Sequence, residues 1–214
     1  KEKSEELGRP IIIPSCSLVN LNEDSIDGIK FTYGNLSIST KMVGTFQLGN
    51  LLTAIETVKV LREKGYAVTD EAIENGISDF TIPARTEKVN SKPLIILDGG
   101  HNEASVSALR DTVRKYLQNK KVTLLLSFMK DKDYEACLKL LLPICENVVF
   151  TNVDAVRGES SKALAEKSKA YFENVFYDDD AHNAYEKALS LVKDDGVLIV
   201  SGSFYLASYV RSLF

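Results

Sequence analysis

From Leu94 to the last residue, apolar runs of strand length alternate with segments of helical period, and this alternation limits the fold more than any other feature. The runs are LIILD (94–98), VTLLLSF (122–128), NVVFTNV (147–153), NVFYD (174–178) and GVLIVSG (196–202). Between and after them come helical patterns from about Ala104 to Gln118, from Tyr134 to Leu142, over SSKALAEKSKAYF (160–172), over AHNAYEKALSLV (181–192) and from Phe204 to Arg211. A strand that is apolar at consecutive positions buries both faces, which a parallel sheet covered by helices on both sides provides. Residues 93–214 therefore read as a doubly wound α/β domain with a mostly parallel sheet.

The first part of the chain has another rhythm. Residues 1–8 read as the tail of a helix ended by Gly8 and Pro10, and IIIP (11–14) reads as a short buried strand. After a stretch punctuated by Gly and Asn, the alternation in IKFTYGNLSISTKMV (29–43) predicts a β-hairpin turning at Gly34-Asn35. From Asn50 to Lys64 the apolar residues Leu51, Leu52, Ala54, Ile55, Val58 and Leu61 keep helical spacing, with Gly65 placed to end the helix. Thr69 is placed as the N-cap of a second helix reaching Gly76, and SDFTIPARTEKVNSKP (78–93) reads as a linker.

Composition narrows the partners. With 26 Lys+Arg against 30 Asp+Glu, a net charge of −4 and no basic run, neither nucleic acid nor an anionic membrane surface is an expected partner. No stretch approaches the roughly 18 apolar residues of a membrane span, and the opening KEKSEELGRP is charged, so a soluble, cytoplasmic protein is expected. Cys16, Cys137 and Cys145 form no CxxC pair, and the apolar surroundings of Cys137 and Cys145 make them small buried hydrophobes in a reducing compartment. The first residue is Lys1 and the first methionine is Met42, from which the chain is expected to be part of a longer protein and to hold part of a site.

In doubly wound sheets ligands gather beyond the carboxyl ends of the strands. The residues there are Asp98-Gly-Gly-His-Asn, Ser127-Phe-Met-Lys-Asp-Lys-Asp133, Thr151-Asn152 and Ser201-Gly-Ser-Phe-Tyr205. In LDGGHNEAS (97–105) the glycines let a ligand approach the backbone and Asp98 is able to accept ribose hydroxyls; the segment reads equally as a tight turn with Asn102 as N-cap. FMKDKDYEA (128–136) reads as a solvated loop with Asp133 as cap, on the rim where ligands bind. SGSFYLAS (201–208) offers the Ser203 hydroxyl and backbone N–H groups to an anion, or forms a plain capped turn with Tyr205 packing. His101 and His182 lie on different elements with no metal-ligand spacing, and His182 reads as a solvated first-turn residue. Neither GxSxG nor GxxxxGK[ST] occurs.

Six motifs in order resemble the folylpolyglutamate synthase/dihydrofolate synthase family of the Mur-ligase superfamily, over essentially the whole chain. EKSEELGRPI looks like the family's helix and strand after its first catalytic segments, and TFQLGNLLTAIETVKVL like its HQ-x-x-N-a-x-x-A helix. IPARTE matches the WPGRxE turn, LDGGHNEAS the LDGAHNPxa turn, SFMKDKDY the GxmxDKD loop and SGSFYLASYVR the GSLYLxxxvR terminus. Ile82 replaces the usual Trp, Ala84 the usual Gly, Phe46 the usual His and Glu103 the usual Pro.

The resemblance implies an ATP-dependent ligase that phosphorylates a folate or dihydropteroate carboxylate and joins it to the amine of L-glutamate. It implies that Asn50, Arg85 and Asp98 contact ATP, at the adenine end, the phosphates and the ribose, and that His101 and Ser203 belong to the glutamate site. Residues 1–90 would be the end of an ATPase domain and 91–214 a C-terminal Rossmann-like domain, with closure bringing Arg85, Asp98 and His101 over the nucleotide. The phosphate loop and Mg2+ ligands would lie upstream, no catalytic or metal-ligating residue would lie in this chain, and the chain alone would be inactive. Family members are expected to be monomers. Two other readings stand beside this one: a superfamily ligase acting on a cell-wall precursor, and a non-catalytic nucleotide-binding or interaction module.

Overall fold

Each apolar run from Leu94 onward becomes a strand, and each periodic segment between those runs becomes a helix, in a computed structural model that describes residues 2–170 and 172–214. The chain divides into two units, Lys1–Thr81 and Ile82–Phe214. The helical readings of 1–8 and 160–172 include Lys1 and Tyr171, which lie outside the described residues.

In the first unit, α1 (Glu2–Glu6) is followed by β1 (Val19–Ser25), β2 (Gly28–Tyr33), β3 (Leu36–Thr40), α2 (Gln47–Glu63) and α3 (Asp70–Asp79). The strands form an antiparallel sheet in the order β1-β2-β3, and the expected hairpin pairs Tyr33 with Leu36 across Gly34-Asn35. Alternation puts Ile29, Phe31, Leu36 and Ile38 on one face, where they pack with Leu51, Leu52 and Ile55 of α2 and Ile73 of α3. The Thr69 hydroxyl accepts the Ala72 N–H and opens α3 as expected.

The structure corrects the sequence reading at several places up to residue 93. IIIP is no strand: Ile11, Ile12 and Ile13 are 53%, 50% and 61% exposed, because an apolar run becomes a buried strand only where a neighbouring strand completes its ladder. The punctuated stretch before the hairpin does contain a strand, β1, whose mostly exposed residues VNLNEDS carry no apolar alternation and are held by pairing with β2. Helix α2 starts at Gln47, three residues before Asn50, and α3 runs through Gly76 to Asp79. The supposed linker contains β4 (Glu87–Ser91), a polar strand paired antiparallel with β5 (Leu94–Leu97).

The second unit continues through α4 (Glu103–Tyr116), β6 (Val122–Leu126), α5 (Tyr134–Leu141), β7 (Asn147–Phe150), α6 (Ser161–Lys169), β8 (Val175–Tyr177), α7 (Ala181–Leu191), β9 (Val197–Ser201) and α8 (Phe204–Arg211). Its sheet has the order β4-β5-β9-β6-β7-β8, parallel except for β4. Because β9 returns between β5 and β6, the strand order reverses there, and the carboxyl ends of β5, β9 and β6 form the switch point at which such sheets bind ligands. On one face, Ile95, Leu97, Leu125, Val149, Leu198 and Val200 pack with Ala184, Tyr185 and Ala188 of α7 and Leu206, Ala207 and Val210 of α8. Ile96, Leu124, Leu126, Val148, Phe150 and Ile199, pointing the other way, are also buried, so both faces are covered. No helix among the described residues is long and apolar enough to cross a membrane.

Burial separates two otherwise similar apolar positions. Leu125→Ala, at a fully buried position, is expected to destabilise the second unit by about 2–5 kcal/mol. Ile12→Ser, at a half-exposed one, should shift stability by no more than about 0.5 kcal/mol. Urea unfolding followed by circular dichroism decides, and comparable losses for the two variants would contradict this placement.

Candidate active site at the carboxyl ends of β5 and β9

Strand β5 ends at Leu97 and delivers Asp98 to a position only 3% exposed. Both carboxylate oxygens are engaged. Oδ2 accepts from the Thr86 N–H (3.0 Å) and hydroxyl (3.2 Å), and Oδ1 accepts from the Gly100 N–H (2.8 Å). A carboxylate has about four lone-pair sites, so these bonds leave about one for a ligand hydroxyl. Burial raises the Asp98 pKa above the ordinary 3.8, opposed by the hydrogen bonds from Gly100 and Thr86 and by the charge of Arg85.

The partner of Asp98 is a strained turn. Ala84 (φ 55°) and Thr86 (φ 49°) both adopt the left-handed conformation that side chains disfavour, at about 1–3 kcal/mol each. The turn persists because its groups are bound on every side. The Gly99 N–H donates to the Ala84 carbonyl (2.7 Å), the Ala84 N–H donates to Glu87 Oε2 (2.9 Å), and Asp98 holds Thr86. Glu87 is itself fixed by Arg211 at the end of α8, whose Nε lies 2.9 and 3.2 Å from its two oxygens. The result presents Arg85 between two buried, left-handed residues, with its guanidinium carbon 5.0 Å from the centroid of the Phe204 ring.

His101 reaches the same ring. Its centroid is 5.9 Å from that of Phe204 in an edge arrangement, and its Nδ1 lies 3.1 Å from the Gly99 carbonyl. A carbonyl only accepts, so Nδ1 carries a proton and, in the neutral ring, Nε2 is the free acceptor. Asn102 caps α4, accepting the Ser105 N–H, while the Ser105 hydroxyl returns to the backbone of Asn102. The Gly202 N–H donates to the Gly100 carbonyl (2.9 Å), tying β9 to the Asp98 loop. Gly202 has φ 87° and would bring a Cβ within 2.5 Å of the Ser127 carbonyl, so no other residue fits comfortably. Ser203, 3% exposed, accepts the Tyr205 N–H (3.1 Å) and caps α8.

Four of the five residues singled out in the sequence, Arg85, Asp98, His101 and Ser203, thus gather at the carboxyl ends of β5 and β9. Asn50 stands on the first unit, exposed in the first turn of α2, its amide donating to Gln47 Oε1 (3.1 Å). The capped-turn readings of the three rim segments also hold: Asn102, Asp133 and Ser203 each cap a helix. Tyr205, however, is 54% exposed rather than packed, on a cleft of about 730 Å³ shared with Tyr209, Asn152 and Asp180. His182 is exposed, and burial pushes the Cys137 and Cys145 thiols up to about 11 and about 12, which keeps both protonated and unreactive near neutral pH.

Sequence reading passed over Thr86, Glu87 and Phe204. Nothing in IPARTE announces two left-handed residues, and Glu87 reveals its role only when α8 brings up Arg211. Phe204 carried one signal, an aromatic ring where the GSLYL pattern has leucine.

The glycine at 99 is required for space. A Cβ there would lie 2.3 Å from two atoms of the Phe204 ring, so Gly99→Ala is expected to displace the ring and destabilise the second unit by about 1–3 kcal/mol. Urea unfolding tests this, and wild-type stability would refute it. For Asp98, a folded pKa above 3.8 means that the folded state binds its proton more tightly than the unfolded state. Its contribution to stability is therefore most favourable at low pH and is lost as pH rises from the ordinary value through the raised one. Carboxyl carbon NMR should give a titration midpoint above 3.8 for Asp98, and a midpoint at or below it would overturn this assignment.

Known proteins resemble the chain in sequence and in fold. Residues 84–204 match the family described as Mur ligase, glutamate ligase domain. The chain is 31% identical over 190 residues to the folylpolyglutamate synthase of Lacticaseibacillus casei, covering 86% of this chain and 43% of that protein. It is 29% identical over 175 residues to the dihydrofolate synthase/folylpolyglutamate synthase of Bacillus subtilis strain 168, covering 81% and 40%. The structure of Mycobacterium tuberculosis folylpolyglutamate synthase complexed with ADP and AMPPCP superposes with a TM-score of 0.84 at 25% identity, covering 99% of this chain and 51% of that one. The chain therefore spans about half or less of the length of these relatives. With more than half of its residues matched, and with folate-glutamate ligases as its relatives, the chain belongs to the Mur ligase, glutamate ligase domain family.

Proposed function

We propose that this chain is part of an ATP-dependent ligase that adds L-glutamate to folate or dihydropteroate through an acyl phosphate. The observation that carries the reading is the strained, fully bonded turn that presents Arg85 beside Asp98 and His101 at the switch point of the sheet. Backbone strain of this kind is kept where a functional group has to be held in one place. The relatives named above include an enzyme whose structure holds ADP and AMPPCP, which supports a nucleotide as the ligand.

The residues fit that ligand class. Arg85 offers a planar fork of N–H donors that matches phosphate oxygens in a bidentate manner. Asp98 keeps about one lone pair for a ribose hydroxyl after its three internal hydrogen bonds. Asn50 is assigned to the adenine end of the nucleotide. His101, with Nε2 free, and Ser203, whose hydroxyl still has its proton to donate, are assigned to the incoming glutamate. Mg2+ supplies charge neutralisation during phosphoryl transfer. Its ligands are assigned outside this chain. The first unit, Lys1–Thr81, is assigned to the end of the ATPase domain and the second, Ile82–Phe214, to the C-terminal domain, a boundary earlier than the expected 90/91 because β4 pairs with β5; ligation is assigned to the longer protein.

ADP release by the full-length protein, measured with and without L-glutamate and with folate or dihydropteroate, tests the proposal. Turnover should require both the amino acid and the pterin acid. Arg85→Ala should raise the KM for ATP about tenfold or more, the loss expected for a charge-assisted phosphate contact. Asp98→Ala should raise that KM or lower kcat, and an unchanged kcat/KM would remove Asp98 from the site. Turnover that ignores glutamate would overturn the assignment of the reaction.

A further inference from the structure

We propose that Phe204 is a positioning residue that sets the spacing between Arg85 and His101, the two side chains assigned to opposite ends of the reaction. Its ring lies against both, with the Arg85 guanidinium carbon 5.0 Å from its centroid and the His101 ring centroid 5.9 Å away. The ring cannot shift toward the loop between them, because a single added carbon on Gly99 would already fall 2.3 Å from it. Nor is it free to follow the chain. Phe204 is the first residue of α8, capped by Ser203, and the far end of the same helix grips the Arg85 turn through Arg211 and Glu87. One rigid helix thus holds the turn from both ends, directly at Phe204 and through a carboxylate at Arg211.

An aromatic face attracts a cation without consuming its hydrogen-bond donors. Arg85 therefore rests on Phe204 with its N–H fork available for an anion, which a carboxylate partner would have occupied. An edge contact orients His101 in a similar way, and it is Nδ1, not Nε2, that meets the Gly99 carbonyl. Leucine, the residue at this place in the GSLYL pattern, fills space without providing the face. The ring makes this chain differ from that pattern at the point where both side chains are steadied.

The proposal rests on the assignment of Arg85 and His101 to ligand binding, and two measurements separate its failure from the failure of that assignment. The first concerns geometry alone. Proton NMR of the chain should show the Arg85 δ and ε protons shifted upfield by the ring in the wild type and in Phe204→Tyr, and returned to ordinary values in Phe204→Leu, with the His101 imidazole resonances moving in the same variant. Unshifted Arg85 protons in the wild type would overturn the proposal whatever the protein's activity. The second is kinetic, on the full-length protein. Phe204→Leu should raise the KM for ATP about two- to fivefold, the range expected from an exposed cation–π contact, with an unchanged midpoint of thermal unfolding. Phe204→Tyr should recover most of that loss, and in an Arg85→Ala background Phe204→Leu should have no further effect. An equal loss with and without Arg85, or no rescue by tyrosine, would show that Phe204 acts only on packing and would overturn the proposal.

Discussion

A carboxylate is stable out of water only if donors fill its lone pairs, and the donors that fill those of Asp98 are the groups the site has to hold in place. Thr86 gives both its N–H and its hydroxyl, and Gly100 gives its N–H, so one buried side chain joins the turn before β4 to the loop after β5. Without it, Thr86 would have no compensation for a φ of 49°, which a β-branched residue leaves readily. The position of Arg85 depends on that compensation.

Helix α8 provides the second support. Its N-cap is Ser203, its first residue bears the ring beneath Arg85, and its last residue binds Glu87, which in turn binds the backbone of Ala84. Leu206, Ala207 and Val210 anchor the helix on the sheet, so the rigidity of the core is passed to the turn. Strain at the turn of a few kcal/mol is maintained because its release would break several hydrogen bonds and a packed helix contact together.

Much of the second unit was legible in the sequence because continuously apolar strands and amphipathic helices leave periods that differ. The strands at Leu94, Val122, Asn147, Val175 and Val197 and the intervening helices all appear where their patterns place them. Legibility failed where burial and propensity part company. Ile11, Ile12 and Ile13 are apolar yet exposed, while β1 and β4 are strands written in polar residues, because pairing to a neighbour, not side-chain pattern, holds an edge strand. In the site, Arg85, Asp98, His101 and Ser203 were found through motif and position, while Thr86, Glu87 and Phe204 act through neighbours 12 or more residues away in the chain or through a backbone angle.

The sequence by itself determined which segments become the parallel sheet, where its strands end and hence which short segments lie on the binding rim, since these follow from local period and from the rule that ligands meet carboxyl ends. Only the tertiary structure decided that β9 returns between β5 and β6, that two residues beside Arg85 are left-handed, and that one phenylalanine serves both Arg85 and His101. The reason is that strand order, positive φ and shared ring contacts are each selected by groups far apart in sequence, whose joint free energy has no counterpart in any local window.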